Sequence, residues 1–365
     1  MVTTKHTVIY PNSLDGSEVV QNLYGFYHED TRHIVIVDAC VPGSVPLSSI
    51  GQIQRIDLSS RQDGALQFMI NDEIAASKPY GIKTELFSRH QGLLESEWML
   101  DCKALICGCG SVGSLVALEL ARSGVGKFLL IDEDILSIEN LCRHQCGLPD
   151  VGRYKALALS DRILQINPSA EVFTQTKTIE TVDPSLIANF TTAESIFLAC
   201  ADSRRADYYL ARLASTLDTP FLSIGLWERA YAGEIFYQLP GEEHPCYSCA
   251  FEGLAGSVSQ RIEQKRIFYT TEEEISKLSF QPAISTDISY VTQIGIKLAV
   301  DILNRAQDGY VPRILDFLSQ YTLVCNTNDV RIGGEAAEIF SHPLQVTTSI
   351  DPTFGHDCPP CKLSF

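Results

Sequence analysis

The sequence predicts an α/β chain in two parts, a small strand-rich segment at 1–86 and a larger domain at 87–365 with a mixed, mostly parallel sheet. Three observations predict it. Short apolar runs alternate with helix-spaced runs from residue 103 to residue 224. Those apolar runs are continuous rather than alternating, the pattern of strands buried on both faces. A glycine cluster joins the first of these strands to the following helix. With 365 residues, 45% hydrophobic and 20% charged, the chain can bury this core without disulfides.

Taken in order, HTVIY, HIVIVDACV and ALQFMI are β-branched or apolar strand runs in the first 86 residues. Asn12, Pro42-Gly43 and Asp63-Gly64 punctuate them as turns. No catalytic constellation stands out there, so this part reads as an accessory or partner-binding domain. Residues 103–107 (KALIC) are the first buried strand, and 112–123 a helix with Leu115, Leu118 and Ala121 on one face. Residues 127–131 (KFLLI) are the second strand, and 154–166 a helix stopped by Asn167-Pro168. Strands follow at 171–175, 195–200 and 220–224, with a helix at 203–217. Residues 227–239 read as longer antiparallel strands, and 284–304 as a long apolar helix.

Several function classes drop out early. A net charge of −17 argues against a nucleic-acid backbone as the main partner. No run approaches the roughly 18 apolar residues of a membrane helix, and the first residues lack a secretory pattern. Twelve cysteines in a chain this long read as cytoplasmic with a metal site, because four of them form two CxxC pairs. Cys246, Cys249, Cys358 and Cys361 supply four thiolates, the set that closes a tetrahedral zinc site. Such a site has no open position and is structural. It would pin the C-terminal segment to the body of the domain.

Gly108-Cys109-Gly110-Ser111-Val112-Gly113 follows a strand and opens a helix, the Rossmann-like arrangement for a nucleotide. The glycines admit a phosphate close to the backbone, and the helix N-terminus favours its charge. Ser111, read as the N-cap, can also donate to phosphate. Asp132 ends the next strand, nineteen residues beyond Gly113, where an acid grips ribose hydroxyls. On this motif alone an NAD-dependent oxidoreductase is the favoured reading. The next segment, DEDILSIENLCRHQCGLPDVGRYK, adds Asp134, Asn140, Arg143 and Lys155 at the strand ends. A dehydrogenase has no use for Asn, Arg and Lys converging on phosphates. An enzyme directing attack at the α-phosphate of ATP does.

This segment resembles the ubiquitin-activating-enzyme superfamily, the ThiF/MoeB-type adenylyltransferases. Asp132, Asn140, Leu141, Arg143, Gln145, Gly152 and Lys155 stand in register with its pattern. Asp202, just after the strand at 195–200, falls where that family places its magnesium-binding Asp. Arg205 approximately matches an arginine in the helix that follows. Phe87-Ser88-Arg89-His90-Gln91 is similar to the family's entry motif, interrupted by His90. The resemblance implies an adenylation domain that uses ATP, Mg²⁺ and a structural Zn²⁺, in a homodimer where Arg89 reaches the neighbouring subunit's nucleotide. It implies adenylation of the C-terminal glycine of a ubiquitin-like protein, in one case alongside a conjugating enzyme. A sulfur-carrier protein or short peptide as substrate, and a non-catalytic subunit, stay open. Family members that form a thioester carry a cysteine after the first CxxC. Here none occurs between Cys249 and Cys325. Cys200 and Cys325 sit in apolar runs and read as core. Cys142 and Cys146 flank the pocket and read as exposed.

Overall fold

In a computed structural model, the described residues are 5–38, 40–62, 64–81, 85–227, 230–242, 244–254, 282–326, 344–350 and 352–353. The chain divides into two compact units: Met1–Leu100 with Ala121–Gly126 and Asp161–Glu171, and Asp101–Leu120 with Lys127–Ser160 and Val172–Phe365. Among the described residues no helix is long and apolar enough to cross a membrane.

The first unit holds β1 (Thr7–Pro11), β2 (Tyr24–His28), β3 (His33–Val37), β4 (Val45–Pro46), β5 (Ile56–Gln62), β6 (Ala65–Ile70), β7 (Glu73–Ile74) and β8 (Ala76–Tyr80). They form one five-stranded sheet, order β4-β2-β3-β1-β8, and one three-stranded sheet, order β5-β6-β7. β6 alternates half-buried and buried residues, so Leu66, Phe68 and Ile70 point inward. They meet Val8, Ile34 and Ile36 in one core. Tyr10 joins that core through its ring, and its hydroxyl accepts the Leu66 amide at 3.0 Å. The helix α1 (Ser96–Asp101) follows.

The second unit is the α/β part. Its elements run β9 (Lys103–Cys107), α2 (Ser111–Arg122), β10 (Lys127–Ile131), α3 (Lys155–Ile166), β11 (Glu171–Gln175), α4 (Pro184–Phe190), β12 (Ser195–Ala199), α5 (Arg204–Thr216), β13 (Phe221–Leu226), β14 (Ala232–Gln238), α6 (Tyr247–Leu254), α7 (Ser285–Asn304), β15 (Tyr321–Cys325) and β16 (Gln345–Ile350). The strands make one eight-stranded sheet, order β11-β10-β9-β12-β13-β14-β15-β16. β10, β9, β12 and β13 run parallel, and β13 through β16 pair antiparallel. The sheet is mixed, as the sequence predicts, and its parallel half is the Rossmann-like half.

Burial explains the continuous apolar strands. Every residue of β12 is buried. Phe197 and Ala199 face α5, where Ala206, Leu210, Ala211 and Ala214 close one layer. Ile196 and Leu198, also fully buried, face the other way. A fully buried Leu, Ile or Phe contributes roughly 1.5–3 kcal/mol, so a strand covered on both faces gathers this from each residue. One expectation changes here. Among the described residues of 227–239, only Ala232–Gln238 is strand. Ala230 has a positive φ and its amide bonds back to the Trp227 carbonyl, so the chain turns before β14 begins.

Candidate nucleotide site

The glycine loop lies at the C-terminal end of β9, between β10 and β12. Gly108 has φ +89°, and a Cβ there would meet the Ala201 amide nitrogen at 2.6 Å. A Cβ on Gly113 would fall 1.8 Å from the Gly108 carbonyl oxygen. These two glycines are therefore fixed by backbone closeness. A Cβ on Gly110 would meet nothing within 4 Å, so that side of the loop is open. Ser111 is the first residue of α2, and Gly110 fills the cap position whose carbonyl accepts the Ser114 amide at 2.9 Å. The expectation that Ser111 is the N-cap is thus off by one residue.

Three predicted residues join this loop in one chain of hydrogen bonds. The Cys109 amide donates to Asp132 Oδ2 at 2.6 Å, and the Asp134 amide to Asp132 Oδ1 at 2.8 Å. Lys155 Nζ then donates to Asp134 Oδ2 at 2.7 Å. Lys155 opens α3, and its amide donates to the Asp134 carbonyl. Burial lifts the Asp132 carboxyl above its usual range, while the two amides and Lys155 pull the other way. Each Asp132 oxygen keeps a second lone pair, which suits ribose hydroxyls.

The turn at 137–146 carries the remaining phosphate-binding candidates. Asn140 Oδ1 accepts the Ser137 amide at 3.0 Å, and the Asn140 carbonyl accepts the amides of Arg143 and His144. That fixes the turn and leaves Arg143 half-buried. Asp202 is exposed just before α5, next to the Ala201 that packs on Gly108. Arg89 is exposed on the short 3-10 turn Ser88–His90 in the other unit.

Sequence reasoning missed two features. His144 is 7% exposed and bonds into the loop through its ring. Beside α5, a network around the buried Glu234, Asp207, Tyr247 and Tyr321 extends to the partly buried Trp227 and to Arg204, whose side chain is 45% exposed. Arg204 Nη2 pairs with Glu234, and Arg204 Nη1 donates to Tyr247 Oη at 2.8 Å. Tyr247 Oη donates to Asp207 Oδ2 at 2.9 Å, and Tyr321 Oη to Glu234 Oε2 at 2.9 Å. Trp227 Nε1 donates to Glu234 Oε2 at 3.4 Å. Burial pushes the Asp207 carboxyl up to about 6. The inward-reaching arginine is Arg204, because Arg205 is largely exposed and pairs with Glu180. A charge inside the apolar run of β14 was the available signal for Glu234, since a buried carboxylate needs a partner.

The cysteines divide by burial. Cys246 and Cys249 are buried with Sγ atoms 3.8 Å apart, one at the threshold of α6 and the other inside it. Cys358 and Cys361 lie outside the described residues, as do 255–281 of the segment that lacks a cysteine. Cys200 and Cys325 are core residues, and burial raises both thiols, Cys325 to about 11. Cys142 is exposed, but Cys146 is buried against Leu136 and Ala158, contrary to its expected exposure.

The ThiF family pattern matches residues 86–331. This chain belongs to the ThiF family. Among its curated relatives, the ubiquitin-like modifier-activating enzyme 5 of Culex quinquefasciatus is 28% identical over 208 residues, covering 54% of this chain and 51% of that protein. The enzyme of the same name from Gallus gallus is 29% identical over 196 residues, covering 50% and 47%. The ThiF-family chain thus spans about half the length of the curated relatives it matches. Crystal structures of E. coli MccB share the fold. The complex with succinimide has a TM-score of 0.52 at 17% identity, covering 73% of this chain and 68% of that one. The complex with ATP has a TM-score of 0.51 at 17% identity, over the same shares.

Proposed function

We propose that this protein binds ATP·Mg²⁺ and adenylates the C-terminal glycine carboxylate of a ubiquitin-like protein, releasing pyrophosphate. The observation that carries this reading is the unbroken chain from the Cys109 amide through Asp132 and Asp134 to Lys155. It ties the phosphate-binding loop, a ribose-binding acid and a cation into one site. A nicotinamide enzyme leaves Lys155, Arg143 and Asn140 without work. The relatives' names support a modifier as substrate. A sulfur-carrier protein or a short peptide is the alternative substrate of the same chemistry.

In this reading the carboxylate attacks the α-phosphorus in line, and pyrophosphate leaves. Gly108, Gly110, Ser111 and Gly113 shape the wall against which the phosphates lie. Asp132 holds the ribose, with Asp134 steering Lys155 toward the phosphates. Asn140, Arg143 and Lys155 offset charge that grows on the five-coordinate phosphorus and the leaving group. Asp202 is exposed and is in no ion pair among the described residues; it would hold Mg²⁺, and the ion would screen the phosphate oxygens. Arg89 acts from a second copy of the chain. A partner's thiol, such as that of a conjugating enzyme, attacks the acyl carbon of the adenylate directly, so that a thioester forms, AMP leaves and the thiol proton goes to solvent. Two Zn–S bonds of about 2.3 Å at the tetrahedral angle hold their sulfurs about 3.8 Å apart, the spacing of Cys246 and Cys249. Zinc would join them to Cys358 and Cys361 and supply fold stability without chemistry.

A thermal-shift comparison of ATP·Mg²⁺ with NAD⁺ and NADH tests the nucleotide. A native-state ligand at 100 times its Kd adds about 2.7 kcal/mol. ATP·Mg²⁺ alone should raise Tm, and pyrophosphate exchange should then require a carrier ending in glycine. A shift with NAD⁺ alone overturns the reading.

A further inference from the structure

We propose that His144 is a positioning residue: its imidazole locks the Asn140–Arg143 turn onto the glycine loop and so holds Arg143 at the nucleotide. This rests on the ATP reading of the site and names a device within it.

The geometry allows one form of the ring. Nδ1 accepts the Cys146 amide at 3.0 Å, so it carries a lone pair. Nε2 must then hold the proton, and it donates to the Cys109 carbonyl at 2.7 Å. Cys109 lies between Gly108 and Gly110, and its amide is the one held by Asp132. The peptide groups of the glycine loop are thus gripped from one side by Asp132 and from the other by His144. The neighbouring Gln145 amide donates to Ser114 Oγ on α2 at 3.3 Å, so consecutive residues are stitched to the loop and its helix. Upstream, the amides of Arg143 and His144 both close on the Asn140 carbonyl. Moving His144 therefore moves the backbone that carries Arg143.

A protonated ring cannot make this pair of bonds, because Nδ1–H would face the Cys146 amide hydrogen. The surroundings favour the neutral ring. Burial lowers the His144 pKa most, and Lys155 adds to it. Asp132, Asp150 and the Cys109 carbonyl oppose. The Cys109 thiol is itself held neutral by burial, and the Cys146 side chain is buried in a small apolar cluster. A folded pKa below the unfolded value of about 6.5 means the lock is complete above that value and is lost as pH falls through the lower one.

The test measures ATP·Mg²⁺ affinity of the full chain by calorimetry from pH 8 to pH 5.5, for wild type, His144→Gln and His144→Ala. At pH 8, Gln keeps the bond to the Cys109 carbonyl and should weaken binding about threefold to tenfold. Ala loses both bonds and should weaken it by more than tenfold. Only wild type titrates at this position, so its advantage over His144→Gln should persist through pH 6.5 and shrink only as pH falls through the lower folded value. Titration of ATP and of every other side chain cancels in that ratio, and it stands even where the Ala variant fails to fold. A wild-type to Gln ratio near one at pH 8, with both proteins folded, overturns the inference while leaving the nucleotide reading intact. Absence of ATP binding by wild type at pH 8 overturns both.

Discussion

Two carboxylate–cation clusters lie on the large sheet, one beyond the ends of the parallel strands β9 and β10 and one between α5 and the antiparallel strand β14, and they bury opposite partners: Lys155 in the first, Glu234 in the second. Asp134 and Lys155 pair at 2.7 Å with the Asp134 side chain 63% exposed. Arg204 and Glu234 pair with the Glu234 side chain only 4% exposed and two further donors, Tyr321 and Trp227, on the same carboxylate. The first cluster hangs from backbone amides and opens toward solvent, so a ligand can replace one of its partners. The second seals its carboxylate among aromatic side chains and leaves Arg204 45% exposed, with Phe251 under the guanidinium at 4.2 Å. An exposed carboxylate leaves its cation open to exchange of partners, whereas a buried one is held by every donor around it.

Substitutions separate the two. Glu234→Ala should have the largest effect on stability, about 3 kcal/mol, because it strands the buried Tyr321 hydroxyl and removes the carboxylate that holds Arg204 and Trp227. A chemical denaturation curve measures it, and a loss under 1 kcal/mol would mean that the closed cluster holds nothing together. Lys155→Ala should leave that curve nearly unchanged while slowing pyrophosphate exchange by about 10²–10³-fold, the usual size for one lost transition-state donor. An equal loss of stability and exchange would erase the distinction between the clusters.

Asp207→Asn sharpens the comparison through pH. Burial raises the Asp207 carboxyl to about 6, so its charged form costs stability. That cost is absent below the unfolded value near 4 and grows as pH rises through 6. The stability of the Asn variant should therefore improve relative to wild type between pH 4 and pH 7, by roughly 2–3 kcal/mol. A difference independent of pH would show that Asp207 does not titrate in this range. Asp134→Asn should have the smallest effect on folding, under about 1 kcal/mol, as exposed pairs do. Chelation of zinc is a separate check on the four-cysteine reading. It should lower Tm and leave ATP affinity at the glycine loop unchanged once the protein remains folded.

The strands of the parallel half were legible to within one or two residues, with 195–200 and 220–224 missing the ends of β12 and β13. KALIC, KFLLI and 171–175 match β9, β10 and β11, because a strand covered on both faces is written as an unbroken apolar run or bounded by clear turns. The glycine loop and Asp132 were legible for the same kind of reason, since backbone closeness demands glycine wherever it occurs. Short helices such as α4 and α6 were not, because seven or eight residues carry too little periodicity. The choice between Arg204 and Arg205 depends on which side of α5 faces β14, a tertiary fact. His144 was invisible for a related reason. Its two partners are Cys109, thirty-five residues upstream, and its own neighbour Cys146, and no spacing rule joins them.

The last strand, β16, covers β15, whose five residues are all buried. A chain cut before residue 345 would leave the inner edge of that strand with open amides and carbonyls beside an apolar face. Such shortened chains should seek one another, and their first symptom should be loss of solubility rather than loss of nucleotide binding.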